Sequence, residues 1–212
     1  RIIENSSGCT MEKLSIEVRR GATATIPLRL ETDTLIFKQI TGMTQGAPLE
    51  VTVQAHNLPP VWRVGFQNTP WVDMNTAWDD VTSLSLRLVS VKDGNTIQVV
   101  GLNSSSFTPY TSGGQVFFYM PMDLSGYVSA RMDVKTRPGG ALLASYSTQE
   151  GSLYLDNVNK ALAIKLLPSD TAALRPGKWS FDVELKAADG AVVAICSPES
   201  TITVLQEVTT SE

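Results

Sequence analysis

The sequence predicts an all-β protein built as a sandwich or barrel, and three observations lead to that prediction. Apolar and polar residues alternate with a period of two, as in Leu14–Val18, Leu84–Leu88 and Leu162–Leu166. Turn-forming pairs such as Asp93-Gly94 and Asp189-Gly190 separate such segments. The segments are short and recur at the roughly 8–12-residue spacing that is typical of sandwiches and barrels.

The composition is that of an ordinary globular protein. Hydrophobic residues make up 42% of the 212 residues, charged residues make up 18%, and the net charge is −4. A chain of this composition can bury a core, so disorder is not expected. No long run of either charge is present, which argues against a nucleic-acid partner and a polybasic membrane anchor. No apolar run reaches the roughly 18 residues that span a membrane, so no membrane partner is expected.

The ends of the sequence add little chemistry. Residues 1–11 are interpreted as an extension and residues 210–212 as a short tail, and residues 1–10 lack the apolar stretch of a secretory signal. The two cysteines, Cys9 and Cys196, lie near opposite ends of the chain. Two cysteines placed in this way are not a disulfide framework, so no disulfide is expected.

The first half of the chain predicts a series of short strands. Leu14, Ile16 and Val18 alternate with polar residues, and Ala24–Leu30 alternates again after the turn-like Arg19-Arg20-Gly21. We interpret this pair as a hairpin or as a strand with a glycine bulge. Further strands are predicted at residues 49–53, 62–66, 84–88 and 96–100, with loops at 58–60, 103–106 and 111–114.

The second half continues the pattern and adds one helical turn. Trp179 and Phe181 alternate with polar residues, and we expect them to be core residues of a strand. The helical turn is Ser169–Leu174, with Ser169 as its cap and Asp170 in its first turn. Strands are predicted at 116–119, 130–135, 142–146, 152–155, 162–166, 179–185, 192–195 and 201–205.

Several blocks after Asp123 follow one another in a characteristic order and spacing. The blocks are Asp123-Leu124-Ser125-Gly126-Tyr127, Ala130–Val134, Arg137-Pro138-Gly139-Gly140, Asp170–Leu174, Gly177–Leu185 and Thr203–Thr209. In this order and spacing they resemble the immunoglobulin-like module of tail and other virion proteins of tailed bacteriophages. The resemblance implies an immunoglobulin-like β-sandwich and a place in a virion.

The family pattern also predicts how the chain is divided. In such modules a strand of the form Arg-Gly-x-Thr comes shortly before the DLSG-type motif, whereas here the matching strand, Arg20–Leu28, lies far upstream. Surface loops tolerate insertions. We therefore expect residues 12–35 plus 117–209 to form a discontinuous immunoglobulin-like sandwich. Residues 36–116 would form a small inserted β-barrel-like domain. The alternative is two consecutive domains, the first formed by residues 11–116.

The inserted stretch has a resemblance of its own. It is similar to phage tail-associated segments at Ala55–Pro59, Trp62–Val64 and Phe107–Gly114. Those relatives often carry His-Gly where this chain has His56-Asn57. Asparagine tolerates the left-handed backbone almost as well as glycine does, so we expect the turn to be kept.

The sequence shows no pattern typical of a catalytic, cofactor-binding or metal-binding site. We therefore predict no such residue, and no enzyme. His56 is the only histidine, and it lies in a turn beside Pro59 and Pro60. We interpret it as a loop-orienting or surface imidazole, because no Gly-x-Ser-x-Gly elbow accompanies it. One histidine and two distant cysteines cannot supply the ligands of a zinc site.

The segment Trp71–Asp80 combines aromatic and acidic residues. Asp73, Asp79 and Asp80 lie near Trp71 and Trp78, a combination that could bind a sugar. The preferred interpretation is a long exposed loop whose tryptophans pack on a neighbouring subunit, because exposed tryptophans are typical interface anchors. The candidate interface residues are Trp71, Trp78, Phe107 and Tyr110.

These observations predict a non-enzymatic phage virion structural protein. The preferred role is a tail adaptor or attachment component that links tail core, fibres or neighbouring subunits, assembled in the bacterial cytoplasm. Its expected partners are other virion proteins and copies of itself. A capsid decoration or head–tail joining protein is the first alternative, and a module that binds host-surface carbohydrate is the second.

Overall fold

The computed structural model describes residues 2–4, 13–76 and 86–206 of the chain. Within them it contains sixteen strands, one short α-helix and one 3-10 turn, which confirms the predicted all-β fold. Cys9, Trp78, Asp79, Asp80, Leu84 and the predicted tail lie outside the described residues. The strands are β1 (Ile2–Glu4), β2 (Ser15–Arg19), β3 (Ala24–Gln39), β4 (Gly42–Thr44), β5 (Leu49–Thr52), β6 (Val61–Gln67), β7 (Arg87–Asp93), β8 (Thr96–Val99), β9 (Gln115–Pro121), β10 (Tyr127–Lys135), β11 (Leu142–Ser147), β12 (Leu153–Asp156), β13 (Ala161–Leu166), β14 (Gly177–Ala187), β15 (Val192–Ala194) and β16 (Thr201–Leu205), with α1 (Pro168–Ala173) after β13.

The chain divides into two compact units. The first comprises the described residues up to Thr32 and from Met122 onward, and the second comprises Asp33–Pro121. The prediction placed the boundaries after residues 35 and 116, whereas the units divide after Thr32 and Pro121. Strand β3 contributes Ala24–Thr32 to the first unit and Asp33–Gln39 to the second.

The first unit is built from two groups of strands around one core. One sheet has the order β11-β10-β14-β16-β2, with β15 paired to β14, and the other group has the order β12-β13-β3, with β1 beside β3. Alternation puts Met132 of β10 opposite Val183 of β14, and both are fully buried. The same cluster includes Leu28, Ile164 and Ile202, so the apolar faces of both groups meet in a single core.

The turn at Arg19-Arg20-Gly21 joins two sheets and does not form a hairpin. Strand β2 pairs in parallel with β16, while β3 pairs antiparallel with β13. The predicted hairpin or glycine bulge at this point is therefore wrong. The alternating pattern specifies which face of a strand is buried but not which strand is its partner. Gly21 supplies the positive φ, 74°, that the corner requires.

The predicted helical turn is present, but its cap differs from the prediction. Helix α1 begins at Pro168, so Ser169 lies inside it and does not cap it. Proline suits the first helical position because its φ is already fixed. The backbone N–H of Leu167 donates to Asp170 Oδ2 at 2.7 Å, so Asp170 stabilises the helix start as predicted.

The strands of the second unit pair in one continuous series. The order runs β9-β6-β7-β8-β5-β4, and β9 also lies beside β3. After β3 the chain continues through Ile40, whose N–H donates to Gly114 O at 3.1 Å, directly into β4. Within β6 the partner changes from β7 at Val64 to β9 at Gly65. The unit has a core cluster of buried side chains that includes Trp62 and Phe66.

Both predicted Asp-Gly hairpins are confirmed. Strands β7 and β8 are joined by Gly94-Asn95, and Asp93 Oδ1 accepts from the N–H of Asn95 at 2.8 Å. Strands β14 and β15 are joined through Gly190, whose φ is 92°. In the second hairpin, Gly190 adopts a positive φ that most side chains resist.

Tyr146 is buried, with an exposure of only 5%. Its hydroxyl nevertheless has no hydrogen-bond partner among the described groups. Burial raises its pKa to about 12, and the charge of Asp170 adds to that shift. A tyrosine with a raised pKa in the folded state contributes stability below pH 10, and this stability is lost as the pH rises from about 10 to about 12.

We expect Tyr146→Phe to leave the free energy of unfolding at pH 7 unchanged or to raise it by about 1 kcal/mol, because it removes an unsatisfied buried group. It should also remove about 2–3 kcal/mol of the alkaline loss of stability between pH 10 and 12. Urea unfolding at several pH values measures both effects. The control is Tyr154→Phe, since Tyr154 is 50% exposed. A large loss of stability at pH 7 in Tyr146→Phe would contradict the assignment of an unpaired hydroxyl.

Candidate interaction site

Three of the predicted interface residues lie together in the second unit. The Trp71 ring packs edge-on against Phe107, with ring centroids 5.0 Å apart and planes at 69°. It packs against Tyr110 in the same manner, at 6.5 Å and 66°. Aromatic pairs favour such edge-to-face geometry because the positive ring edge meets the negative ring face. The three side chains therefore form one aromatic cluster.

Trp71 is not an exposed anchor, contrary to the prediction. Its side chain is 7% exposed, just before the 3-10 turn Val72–Met74. Its Nε1 donates to the backbone oxygen of Thr108 at 3.1 Å. An indole ring with one polar atom can be buried once that atom is paired, and a sequence cannot show that such a partner exists. Phe107 and Tyr110 are half-buried. The Trp71 ring packs against both and so stabilises their loop from its buried side.

The loop that carries Phe107 and Tyr110 is attached to a second loop. We call residues 45–48 and 100–114 the loop pair. Ser104 is fully buried, and its hydroxyl accepts from Gly46 N at 2.9 Å and donates to Gly46 O at 3.1 Å. The N–H of Ser104 donates to the same oxygen at 2.8 Å, and Gln45 Nε2 donates to the carbonyl of Phe107. The loop pair is thus held by a network of direct hydrogen bonds.

An apolar groove lies on the outer side of the loop pair. It has a volume of about 440 Å³ and is lined by Ala47, Pro48, Ser90, Val100, Gly101, Leu102 and Asn103. Val100 is 50% exposed, and its N–H donates to Leu88 O at 3.0 Å. Leu88 and Val61 are exposed on the neighbouring strands. The groove and these side chains form an apolar strip that suits an aliphatic or aromatic side chain of a protein partner.

A charged pair borders this strip. Lys92 Nζ lies 2.7 Å from Glu50 Oε1, and Gln98 Nε2 donates to the same oxygen at 2.9 Å. The hydrogen bond from Lys92 is the main cause that lowers the pKa of Glu50. The pair is exposed, so its contribution to stability is small. Its polar atoms form a polar, solvent-accessible border along the strip, as is common around protein interfaces.

Both ring nitrogens of His56 are engaged in backbone hydrogen bonds. Nδ1 accepts from the N–H of Leu58 at 3.1 Å, so Nε2 carries the proton and donates to Asp93 O at 2.8 Å. The side chain is 3% exposed. The loop-orienting interpretation is confirmed and the surface alternative is wrong. Asn57 has the expected left-handed φ, 55°.

The described cysteine lies in an environment that disfavours its ionisation. Burial raises the pKa of the Cys196 thiol to about 11, which disfavours the thiolate that nucleophilic attack requires. Over residues 13–76 and 86–206, no group of three or more His, Cys, Asp or Glu side chains is arranged to hold a metal ion. In the same part of the chain, no helix is long and apolar enough to cross a membrane.

A second concavity lies on the first unit, on the outer face of β10 and β14. It has a volume of about 380 Å³, and its charged lining residues are Arg131, Glu184 and Lys186. Arg131 Nε already donates to Asp133 Oδ1 at 2.9 Å. The remaining lining is mainly hydroxyl and amide groups, so this concavity has the character of an ordinary polar sheet face.

Comparison with known proteins adds no relative. No protein-family model matches the chain, and a search of curated proteins finds no match.

The sequence did not reveal the residues that build the groove. The segment 103–106 was predicted only as a loop, although Ser104 is the residue that fastens it. Pro48 precedes the predicted strand 49–53, Val100 ends the predicted strand 96–100, and no feature marks the two as a shared surface. The available signal was Val100-Gly101, an apolar residue at the end of a strand followed by a glycine at which the chain turns away.

We expect Ser104→Ala to lower the free energy of unfolding by about 1–3 kcal/mol, because the N–H of Gly46 loses its acceptor. Denaturation in urea measures the change. Ser105→Ala is the matched control, since the side chain of Ser105 is exposed. Equal stability of the two variants would show that Ser104 does not hold the loop pair.

Proposed function

We propose that this chain is a non-enzymatic structural protein of a tailed-phage virion, acting as a tail adaptor or attachment component. In this role its first unit is an immunoglobulin-like sandwich, and its second unit presents the loop pair to neighbouring virion subunits. The partners are other virion proteins and copies of the same chain.

The observation that carries the proposal is the placement of the resembling blocks. Asp123–Tyr127 leads into β10, Arg137–Gly140 is the turn between β10 and β11, and Gly177–Leu185 lies within β14. The upstream strand Arg20–Leu28 reaches the same unit, where β3 pairs with β13. Blocks that are far apart in the sequence thus lie in one compact unit, which supports the proposal.

The surfaces of the second unit support an assembly role. The loop pair is fastened by Ser104 and braced by Trp71, so its groove is preorganised for contact. Val61, Leu88 and Val100 leave apolar surface exposed beside a polar rim. We propose that this strip binds an apolar side chain of a neighbouring virion subunit.

The hydrogen bonds of His56 and the burial of Cys196 support the non-enzymatic part of the proposal. A general base needs a ring nitrogen that is free to take a proton, and both nitrogens of His56 already bind backbone groups. The thiol of Cys196 is buried and its pKa is raised. The burial of Trp71 likewise weakens the case for a sugar site, because its ring is not presented for stacking.

The test uses a phage whose genome encodes the chain. We expect the protein in purified particles, with its density on the tail, and we expect Val100→Asp to reduce its incorporation at least about fivefold, because a charge would enter the apolar groove. Mass spectrometry of purified particles measures incorporation.

The matched control is Val72→Asp, because Val72 is 80% exposed and lies outside the groove. Absence of the protein from particles would overturn the proposal, and density on the head would favour the decoration or joining alternative. Equal incorporation of both variants would show that the groove is not the contact.

A further inference from the structure

Strand β11 is an end strand with unusually little protection. In the sheet β11-β10-β14-β16-β2, it has β10 on one side and no other described strand on the other. End strands usually carry charges or proline, or are very short, because their free backbone groups can pair with another chain. The six residues Leu142–Ser147 contain neither a charge nor a proline.

The other described end strands are protected in these ways. Strand β2, at the opposite end of the same sheet, carries Glu17 and Arg19. Strand β12 carries Asp156, and β1, β4 and β15 are very short, with three residues each. The contrast singles out β11 as an edge that is open to pairing.

The backbone of β11 presents hydrogen-bonding groups to its free side. The N–H of Thr148 donates to Ala130 O at 3.1 Å, so this N–H faces β10. In an antiparallel ladder the direction of the backbone groups alternates along a strand, so those of Tyr146 and Ala144 face β10 while those of Ser145 and Ser147 point away. The C=O of Ser147 already accepts from Ser152 N at 3.2 Å, so the backbone groups that remain open to pairing centre on Ser145. Leu142 and Leu143 are 53% and 42% exposed, which adds apolar surface along this edge.

Opposite charges flank the neutral strand. Arg137 lies in the turn before β11 and Glu150 lies in the turn after it, and both side chains are exposed. In an antiparallel pair of two copies, the turn before one strand comes beside the turn after the other. Each Arg137 then approaches the Glu150 of the second copy, so the edge is complementary to itself. A parallel pair would instead place like charges together.

We propose that β11 pairs antiparallel with β11 of a second copy, centred near Ser145, so that the two sheets become one continuous sheet. This contact is isologous, with a twofold axis through its centre. The occupant is a second copy because the strand is neutral and its flanking charges match themselves in that orientation. The inference does not depend on a place in a virion.

The experiment uses the purified full chain. Sedimentation over a range of concentrations should show a reversible dimer. Arg137→Glu or Glu150→Arg by itself places like charges at both ends of the contact, and we expect the dimer dissociation constant to rise about tenfold. The double variant should return to within about threefold of the unaltered chain.

A mixture gives the sharpest test. When the two single variants are combined in equal amounts, every contact between unlike copies is complementary, so dimers should form at concentrations at which each variant is monomeric by itself. Glu17→Lys, on the opposite edge of the sheet, is the control and should leave the dissociation constant unchanged. Circular dichroism and the melting temperature verify that each variant is folded.

The proposal is overturned if the unaltered chain is monomeric at all concentrations, or if its dimer is insensitive to both reversals. It is also overturned if neither the double variant nor the mixture restores the dimer. A measurement without substitutions supplements these results: hydrogen exchange at the Ser145 amide should slow as the protein concentration rises, and an unchanged rate would contradict the pairing.

Discussion

The pairing of β3 with β13 is the interaction on which the first unit depends. Leu28 lies opposite Leu162, and Ile26 lies opposite Ile164, although more than a hundred residues separate each pair. Leu28, Leu162 and Ile164 are buried in the core of the unit. The same strand accepts the chain on its return, since Leu30 O accepts from Met122 N at 3.1 Å. The two points at which the chain leaves and re-enters the first unit are therefore adjacent, which is the geometry that lets a loop carry a long insertion.

The second unit has its own core, in which the strands bury aromatic and branched side chains. Glycine at position 65 is needed where β6 changes partners, since a Cβ there would lie 2.1 Å from the ring of Phe117. Trp71, which belongs to this core, and Ser104 stabilise the loop pair from its buried side. The buried aromatic residues therefore make the loop pair rigid, and the aliphatic groove beside Val100 provides the exposed surface.

Alternation, turn residues and the family pattern were enough to predict the all-β fold, both Asp-Gly hairpins and the role of Asn57. They could not predict strand pairing or side-chain burial that depends on a residue distant in the sequence. Strand β2 pairs in parallel with β16, and nothing in the segment Leu14–Val18 specifies that choice. Trp71 is buried because Thr108 supplies an acceptor for its indole nitrogen. Leu88 follows the alternating pattern of Leu86 but is exposed, because β7 turns Val89 inward. A period of two identifies faces, whereas packing decides which face is covered.

The central claim is that strand 24–29 belongs to the core formed by the C-terminal part of the chain. Nuclear Overhauser effects between backbone protons of neighbouring strands test this claim directly. The account predicts cross-strand effects that connect residues 25–29 with residues 161–165 in the antiparallel register that places Leu28 opposite Leu162. Effects that instead connect residues 25–29 with strands of the second unit, such as β5 or β6, would contradict it.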